Sequence, residues 1–559
     1  MQAYKTPDVY IEERSTLPPS VVPVATAVPA FIGCTQKAGA HNQYQNQAIR
    51  IRSILDYTTL FGEAHPTPFT VTIDDNNQVT GITPHNTILG TPQYLMYYTL
   101  RLFFENGGGP CYVVSIGNYQ DDGSLPDADA FMQGLAAVKQ EDEPTLIVLT
   151  DAVNLASTDY YVLCQAVLAQ CNTLKDRFGI FDILSSDRTL NGIGADFRQG
   201  IGTNDLKYGA AYYPYLQTAL NYQTTEDAVT IPGLPNTALG SRPPLGQYTT
   251  SSNGLRVTYD GPETENPQLR ITTTDRQSIE VEIANAVLTI RLPLTGAWVA
   301  EILTAAPAED LAPYQLTTLG DGTDSISEAL EATPLSYAPQ PARLSELKTA
   351  ATGLYNQIKT QLKSHRVVMP PSGAIAGVYA KVDRERGVWK APANVSLATV
   401  IGPREKITNA EQDHLNVDAT AGKSINAIRS FTGKGTLVWG ARTLAGNDNE
   451  WRYIPVRRLF NLVEESVQKA TRFAVFEANT AITWLKVKTI ISSYLDGLWR
   501  QGAIVGATPE QAYFVNVGLG QTMTEQDILE GRMLVEIGLA AVRPAEFIIL
   551  SFSHKLQEA

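Results

Sequence analysis

The chain has 559 residues, of which 43% are apolar and 18% are charged, and its formal net charge is −14. This length exceeds what a single hydrophobic core can serve, so the sequence predicts several domains. The negative charge disfavours nonspecific binding to nucleic acid, which requires a basic surface. No window approaches the roughly 18 consecutive apolar residues of a membrane span, and the first residues lack the layout of a secretory signal. We therefore expect neither nucleic-acid binding nor membrane insertion.

The N-terminal segment combines a short strand pattern with prolines. Residues 9–12 read VYIE, which alternates and predicts a strand, and Pro18 and Pro19 limit its length. Residues 28–34 predict a short buried strand, and residues 35–90 read as polar and rich in loops. A strand so close to a chain end has little of its own chain beside it, so its partner is an open question.

An alternation of helices and apolar strands follows. We expect a helix over residues 94–106, which the glycine run that follows it ends. The next predicted strands cover 111–116, 145–150, 178–184 and 209–216, and the predicted helices between them cover 127–138 and 160–175. Continuous apolar strands that alternate with helices are typical of a largely parallel sheet buried on both faces.

Residues 221–340 differ in composition from the preceding α/β region, since they are rich in Thr, Pro, Gly and acidic side chains. Their apolar residues alternate in four predicted strands, which cover 255–259, 269–274, 278–283 and 287–292. This alternation predicts half-exposed antiparallel sheet. We interpret the region as a β domain inserted into the α/β domain.

The C-terminal part predicts long amphipathic helices over 344–362, 456–473 and 482–499. Thr522 and Glu525 fit a capping box ahead of a short helix. Residues 532–539 alternate as a strand, and residues 547–552 (FIILSF) predict a final strand near the C-terminus. Strand patterns that prolines set apart therefore lie near both ends of the sequence.

Candidate catalytic groups do not form a convincing pattern. The string Gly422-Lys423-Ser424 lacks the earlier glycine of a phosphate-binding loop, because position 417 is valine. Ser372 could be combined with His365, Asp383 or Asp151 as a hydrolase triad, but no nucleophile-elbow motif surrounds it. The four cysteines, Cys34, Cys111, Cys164 and Cys171, form no Cys-x-x-Cys pair and predict buried reduced thiols. We expect no enzyme activity, cofactor or metal, and a structural or binding protein.

Several longer motifs closely resemble those of contractile tail sheath proteins, the family of phage tails and phage-tail-like contractile injection systems. In chain order they are PPSGAIAGVYAKVDRERGVWKAPAN (370–394), VWGARTL (438–444), YIPVRRLF (453–460), EES (464–466), FAVFEAN (473–479), GLWRQG (497–502) and VRPAEF (542–547). They run in family order over about 340–555. The α/β pattern of 111–216 also fits the family, whereas residues 221–340 match nothing diagnostic of it.

The resemblance implies a multidomain fold of mixed α/β and α+β classes, with a subtilisin-like α/β middle domain and an α+β C-terminal sheath domain. The expected division is 1–22 as an N-terminal linking arm, 23–106 as an N-terminal region, 107–220 with 341–400 as the α/β domain, 221–340 as the inserted β-rich surface domain, 401–540 as the C-terminal core and 541–559 as a C-terminal arm. It implies a structural subunit that polymerises helically around an inner tube and contracts to drive the tube and its spike through a target envelope.

The resemblance also assigns roles to particular residues. Arm strands of one subunit add to a sheet in another subunit, which is β-augmentation. The expected arm residues are Val9, Tyr10, Ile11 and Glu12 at one end, and Phe547, Ile548, Ile549, Leu550, Ser551 and Phe552 at the other. The candidate receiving strand contains Met533, Val535, Ile537 and Leu539. The candidate inner-tube contacts are Glu464, Glu465, Gln468, Lys469, Lys486 and Lys488.

The partners that the resemblance implies are further copies of the chain in stacked hexameric rings, an inner-tube protein, baseplate and tail-terminator proteins at the ends, and a second sheath paralogue. The particle would assemble in the cytoplasm as part of a phage tail or a phage-tail-like particle. Two other hypotheses stay open, namely a serine hydrolase of subtilisin-like fold and a baseplate or tail-terminator protein that shares the sheath C-terminal domain. Fold-back of both terminal strands onto their own domain is the alternative to linkage between subunits.

Overall fold

The structure is a computed structural model that describes residues 21–549, except 75, 77, 86, 89, 121–123, 185–189, 233, 235–245, 253, 260–265, 307–310, 319–323, 340–341 and 419. The helices are α1 (Ile54–Phe61), α2 (Met96–Glu105), α3 (Ala128–Lys139), α4 (Ser157–Leu174), α5 (Leu190–Gly200), α6 (Val299–Ala305), α7 (Leu344–Ala350), α8 (Thr352–Leu362), α9 (Ser372–Arg386), α10 (Asn409–Asn416), α11 (Ile454–Thr471), α12 (Ala481–Arg500), α13 (Pro509–Ala512) and α14 (Glu525–Leu529).

The strands, in chain order, are β1 (Pro29–Thr35), β2 (Ala48–Ile51), β3 (Phe69–Ile73), β4 (Val79–Pro84), β5 (Thr87–Ile88), β6 (Thr91–Pro92), β7 (Cys111–Asn118), β8 (Leu146–Leu149), β9 (Phe178–Asp182), β10 (Gly209–Tyr213), β11 (Leu216–Asn221), β12 (Val229–Ile231), β13 (Gly246–Ser252), β14 (Leu255–Tyr259), β15 (Gln268–Thr274), β16 (Glu280–Ala284), β17 (Val287–Pro293), β18 (Ala297–Trp298), β19 (Tyr314–Thr318), β20 (Ser325–Ile326), β21 (Leu330–Pro334), β22 (Ser336–Pro339), β23 (Ala342–Arg343), β24 (Arg366–Met369), β25 (Val395–Ser396), β26 (Val400–Pro403), β27 (Asn426–Phe431), β28 (Gly435–Val438), β29 (Tyr513–Asn516) and β30 (Glu536–Leu539).

The chain divides into two compact units. The described residues of the first fall within Met1–Pro66, Asn86–Gln223 and His365–Ala559, and those of the second fall within Thr67–His85 and Thr224–Ser364. The second unit therefore contains most of the β-rich region that the sequence sets apart. It also contains β3 and β4 from the stretch that the sequence presents as loops, and helices α7 and α8.

A nine-stranded sheet forms the centre of the first unit, in the order β2-β7-β1-β8-β9-β10-β27-β28-β25. The six strands from β7 to β27 pair in parallel, whereas β2, β28 and β25 add antiparallel strands at the two edges. The sheet strands β1, β8, β9 and β10 are buried along their whole length, as their continuous apolar sequences predict. The predicted parallel sheet is confirmed, and its strands come from all three thirds of the chain.

Helix α9 packs closely on α2 because its sequence SGAIAG keeps the shared face small. A Cβ atom at Gly373 would lie 2.7 Å from the backbone oxygen of Thr99, and one at Gly377 would lie 2.5 Å from that of Phe103. Only glycine permits this approach of backbone to backbone. The contact fixes the N-terminus of α9 against the carboxyl end of β9, where Ser372 begins the helix.

A second hydrophobic core of the first unit lies between α11 and α12, which the stripes of the sequence predict. Its buried residues include Leu459, Val463, Ile491 and Leu495. Strands β29 and β30 form a two-stranded antiparallel sheet that covers part of this core. Val21, the first described residue, is also buried in it, so the N-terminal chain reaches the same module as the C-terminal strands.

The second unit has its own core beneath two four-stranded sheets, β19-β14-β13-β22 and β16-β17-β15-β21. The predicted strands are present, but the expectation that all pairings are antiparallel is wrong. Strand β15 pairs with β17 in parallel over seven residues, while β16 forms the antiparallel hairpin with β17. Alternation reveals that a strand is half buried, whereas it carries no information on which neighbour pairs with it.

Three local predictions need correction. The capping box is formed by Thr524 and Asp527 rather than by Thr522, so the short helix begins two residues later. The strand expected over 532–539 is confined to β30, although its alternating burial extends back to Met533. Residues 547–549 lie in no strand, and their large apolar side chains are exposed. A strand pattern without a neighbouring strand to bond remains extended or irregular.

All four cysteines are free and buried, in agreement with the prediction. Within the part of the chain that the structure describes, no helix is long and apolar enough to cross a membrane.

Candidate functional site

The sequence motif YIPVRRLF begins helix α11 and joins the C-terminal helices to the nine-stranded sheet. Arg457 and Arg458 are both almost fully buried. The Arg457 guanidinium lies 4.3 Å from the ring centre of Trp451 and 5.0 Å from that of Tyr208, and its nitrogens donate to Asn461 and to Glu464. Aromatic faces and hydrogen bonds thus compensate the cost of burying this charge.

Arg458 forms a buried ion pair with Asp383 of helix α9. Its two terminal nitrogens donate to the two carboxylate oxygens at 2.9 and 2.5 Å, and one of them also donates to the backbone oxygen of Thr26. The guanidinium stacks over Tyr379 at 4.6 Å. The bidentate geometry fixes α11 to α9 and to the chain that enters from the N-terminus. The adjacent arginines of the motif are therefore a joint inside the subunit.

A groove of about 1200 Å³ opens beside α11 and α12. Its lining includes the side chains Met533, Val535, Ile537 and Leu539, which face one way and are partly buried against the helical core. The opposite wall is formed by apolar residues of the two helices, and acidic residues such as Asp142 and Asp176 lie on its rim. The predicted receiving strand therefore offers a half-covered apolar face, with a strand edge beside it.

Strands β29 and β30 pair with each other from Tyr513↔Leu539 to Asn516↔Glu536. Among the described residues this sheet has two strands, so each strand presents one edge to which a further strand can bond. Such edges attract added strands, because they expose unpaired backbone donors and acceptors. The sheet, the groove and the buried Val21 lie in one module.

The two predicted arms differ in how much of them the structure describes. Val9, Tyr10, Ile11 and Glu12 lie outside the described residues, as do Leu550, Ser551 and Phe552. Phe547, Ile548 and Ile549 are described, and their exposed fractions are 69%, 80% and 88%. Three consecutive large apolar side chains in solvent are a feature typical of contact surfaces. Immediately before them, the carboxylate of Glu546 is held by Arg442 in a bidentate ion pair.

The predicted inner-tube contacts divide into two groups. Glu465 is buried, and its carboxylate receives a hydrogen bond of 2.6 Å from Lys469, whose amine also lies 2.9 Å from Asp142. Burial raises the pKa of Glu465. Glu465 is therefore turned into its own unit, whereas Lys469 is half-exposed and its contact with an inner tube stays a prediction. Glu464 is bonded to Arg457 inside the chain.

Gln468, Lys486 and Lys488 are exposed, as predicted. The two lysines lie on α12 close to an apolar surface that the sequence analysis did not single out. We call this surface the hairpin tip; its residues are Val475, Phe476, Ile482 and Leu485, all at least 61% exposed. Phe476 is fully exposed with a backbone φ of 67°, which is strained for a bulky side chain. The FAVFEAN motif contains Val475 and Phe476, but the sequence does not reveal that these side chains are exposed.

The hydrolase hypothesis is not supported by the geometry. Ser372 is buried, and its backbone amide donates to the Asp182 carboxylate at 2.8 Å. Burial raises the pKa of Asp182 to about 7. Two residues that could complete a triad with Ser372 are engaged elsewhere, since Asp383 pairs with Arg458 and Asp151 accepts from the backbone amides of Cys34 and Leu95. Burial likewise raises the pKa of Asp151 to about 6.

The Gly422-Lys423-Ser424 string is a structural turn. The Lys423 amine donates to the backbone oxygen of Arg198, and the Ser424 hydroxyl donates to that of Asn416 at 2.5 Å. Neither group is free to hold a phosphate. Within the described residues, no group of three or more His, Cys, Asp or Glu side chains could bind a metal ion.

Comparisons with known proteins find similarity to tail sheath proteins. Residues 446–555 match the phage tail sheath C-terminal domain family. The tail sheath protein of Vibrio phage KVP40 is 25% identical over 185 residues, which are 33% of this chain and 26% of that protein. The chain thus matches about a quarter of the length of the first curated relatives.

Solved sheath structures match over almost the whole chain. The anti-feeding prophage helical sheath in its contracted state is 28% identical, with a TM-score of 0.56 and coverage of 99% of this chain and 100% of that one. The sheath of PVC, an extracellular contractile injection system, also in the contracted state, is 27% identical, with a TM-score of 0.54 and coverage of 99% of both chains.

The class that the fold and these likenesses define is a multidomain α/β structural subunit of a contractile sheath. The chain is similar to contractile sheath proteins over almost its whole length, and residues 446–555 match the C-terminal domain of tail sheath proteins, as the motifs of the sequence indicate.

Proposed function

We propose that the chain polymerises helically around an inner tube and that contraction of this polymer drives the tube and its spike through a target envelope. One observation carries the proposal. A single subunit contains both an open two-stranded sheet with a half-covered apolar face and a terminal segment whose large apolar side chains are exposed. A surface and a segment that are complementary but lie on the same chain produce head-to-tail association when subunits exchange them.

The exchange occurs by strand addition in this proposal. Residues 9–12 of one subunit and residues 547–552 of another add to the edges of β29 and β30 in a third subunit. Backbone hydrogen bonds supply most of the link, and alternate side chains such as Val9 and Ile11 fill the groove above Ile537. The acidic rim restricts which segments enter, and Pro18 marks where pairing ends and a linker begins.

The inner-tube contact is proposed at the hairpin tip together with Lys486 and Lys488. An exposed Phe476 on a strained backbone conformation is costly for an isolated subunit, and such strain concentrates at binding sites. The adjacent lysines favour a partner with an acidic surface. Glu465 is left out of the contact, because its buried carboxylate pairs with Lys469 within the subunit.

The proposal gives the remaining parts of the chain structural roles. The second unit decorates the outer surface of the particle. The α/β domain is subtilisin-like in fold but not an enzyme, which is supported by its parallel strands and by the engagement of Ser372 with Asp182. The partners are further copies in hexameric rings, an inner-tube protein, baseplate and terminator proteins and a second sheath paralogue. Assembly takes place in the cytoplasm, and the product is a phage tail or a phage-tail-like particle.

Negative-stain microscopy of the purified full chain tests the proposal, with tubes of constant diameter as the expected result. Ile537→Asp places a charge in the groove and should give folded, soluble subunits without tubes. Leu534→Asp changes the opposite, exposed face of the same segment and serves as the matched control, which should retain tubes. Tubes from Ile537→Asp that match those of the wild type would contradict strand addition at β30.

A further inference from the structure

The carboxylate of Glu546 is held by three side chains from separate segments. Arg442 donates to it from Nε at 2.9 Å and from Nη2 at 2.6 Å, Asn416 donates at 2.7 Å, and the Tyr453 hydroxyl donates at 3.1 Å. The Arg442 side chain is only 5% exposed, and that of Glu546 is 21% exposed. Charge-assisted, bidentate contacts of this kind are among the strongest hydrogen bonds that a side chain forms.

Arg442 is itself fixed to the central sheet. Its backbone amide donates to the Asn426 side chain at 2.8 Å, and the amide nitrogen of that side chain donates to the backbone oxygen of Ala211 in β10. Its Nη1 donates to two further backbone oxygens. A continuous chain of hydrogen bonds therefore connects Glu546 to the strands β27 and β10 of the nine-stranded sheet.

These hydrogen bonds hold the chain up to Glu546, and the described side chains that follow it are exposed. The exposed fraction of the next side chain, Phe547, is 69%, and exposure rises to 88% at Ile549. In the chain that precedes Glu546, the backbone amides of Ala540 and Val542 donate to backbone oxygens of the same module. Within the described C-terminal chain, Glu546 is thus the last residue whose side chain is shown hydrogen-bonded to the subunit body.

Electrostatic interactions favour the charged form of the Glu546 carboxylate. Burial disfavours ionisation of Glu546, but the hydrogen bonds and the charge of Arg442 outweigh it, so its pKa lies below the ordinary value. Loss of either partner would leave the other charge buried and uncompensated. Among the residues of the family motifs, this pair connects VWGARTL to VRPAEF, two segments about 100 residues apart.

We propose that the Arg442–Glu546 pair is the mechanical anchor of the C-terminal arm: it transmits a pull on the arm to the central sheet without contacting the neighbouring subunit. The inference rests on the proposed function, since it requires that residues after Glu546 are bound by another copy. Without the anchor, a pull would peel residues 540–546 from their own module, because ordinary backbone hydrogen bonds hold them there. Neighbouring subunits would then be joined by a longer and softer link.

The test compares Glu546→Gln and Glu546→Ala with Glu282→Gln in the full chain. Glu282 forms an exposed ion pair with Arg291 at 2.6 Å in the second unit, so its substitution removes a carboxylate and an ion pair of similar length without touching the arm. We expect the Glu546 variants to fold, and amide exchange of Val542 in unassembled subunits to rise on the order of tenfold or more. Sheaths from these variants should lose subunits under shear or dilute urea at least several times faster than those of Glu282→Gln.

The outcomes separate this inference from the function on which it rests. If the wild-type chain forms no tubes, the proposed function fails, while faster exchange at Val542 in Glu546→Ala would still locate the attachment point. If the wild type forms tubes and the Glu546 variants form tubes of equal resistance with unchanged exchange, the anchor is refuted. Glu546→Gln retains the shape of the side chain. It can therefore still be compared with the wild type and with Glu282→Gln if Glu546→Ala does not fold.

Discussion

Asp182→Asn should stabilise the folded chain at high pH. The Asp182 carboxyl is buried at the carboxyl end of β9, with its pKa raised from 3.8 to about 7 because burial penalises the charge. The folded state thus binds a proton that the unfolded state releases. Stability from this group is complete below pH 4 and is lost as pH rises through about 7. The difference between the pKa of Asp182 in the folded and in the unfolded state corresponds to about 4 kcal/mol of lost stability at pH 8, because one pKa unit is worth about 1.4 kcal/mol.

The substitution removes the charge but keeps an oxygen that accepts from the Ser372 amide. We expect Asp182→Asn to exceed the wild type in free energy of unfolding by about 2–4 kcal/mol at pH 8, and the excess to shrink by roughly 2–3 kcal/mol at pH 5. Urea unfolding monitored by circular dichroism at several pH values measures both quantities. Glu385→Gln, which removes an exposed carboxylate from the same helix as Ser372, is the control.

Equal pH dependence in the wild type and Asp182→Asn would refute the reasoning, because it would mean that the folded chain ionises Asp182 without cost. It would also reopen the question of a functional carboxylate beside Ser372. The buried Asp151 has a pKa raised to about 6 and contributes in the same direction at lower pH. Asp151 is present in both proteins, so its contribution cancels when the free energy of unfolding of Asp182→Asn is compared with that of the wild type.

Two further results are expected. Arg458→Met leaves Asp383 buried without its cation, and it should lower the free energy of unfolding by about 3–5 kcal/mol in urea titrations; a loss below about 1 kcal/mol would show that the joint is dispensable. Lys486→Glu combined with Lys488→Glu should leave the subunit folded but abolish sedimentation with an inner-tube protein, and the wild-type interaction should weaken as salt increases. Unchanged binding of the double variant would remove the two lysines from the inner-tube contact.

Much of the fold was predictable where burial leaves a periodic signal. The strands β8 and β9 are apolar along their length because both faces are covered, and α11 and α12 carry stripes because each buries one side. Strands β3 and β4 were not predicted. They are short and lie in a stretch rich in polar residues, and β3 pairs with β12, which follows it by more than 150 residues, so no local pattern reveals the partner.

The candidate site was predictable in the strand that lines the groove and less so in its charged surfaces. The alternation from Met533 to Leu539 predicts a half-buried strand, and the structure places these side chains along the groove. Glu465 could not be assigned correctly, because a charged residue on an amphipathic helix gives no indication that a second part of the chain covers it. The Arg442–Glu546 pair was also missed, since the two residues meet only after folding.

Cryo-electron microscopy of tubes assembled from the purified chain would show which strands complete the sheet of each subunit. We expect β29 and β30 to lie in a sheet of four strands, whose outer strands are residues 9–12 and 547–552 of two neighbouring subunits. A sheet completed by the terminal strands of the same subunit, or tubes in which these edges remain unpaired, would contradict this expectation.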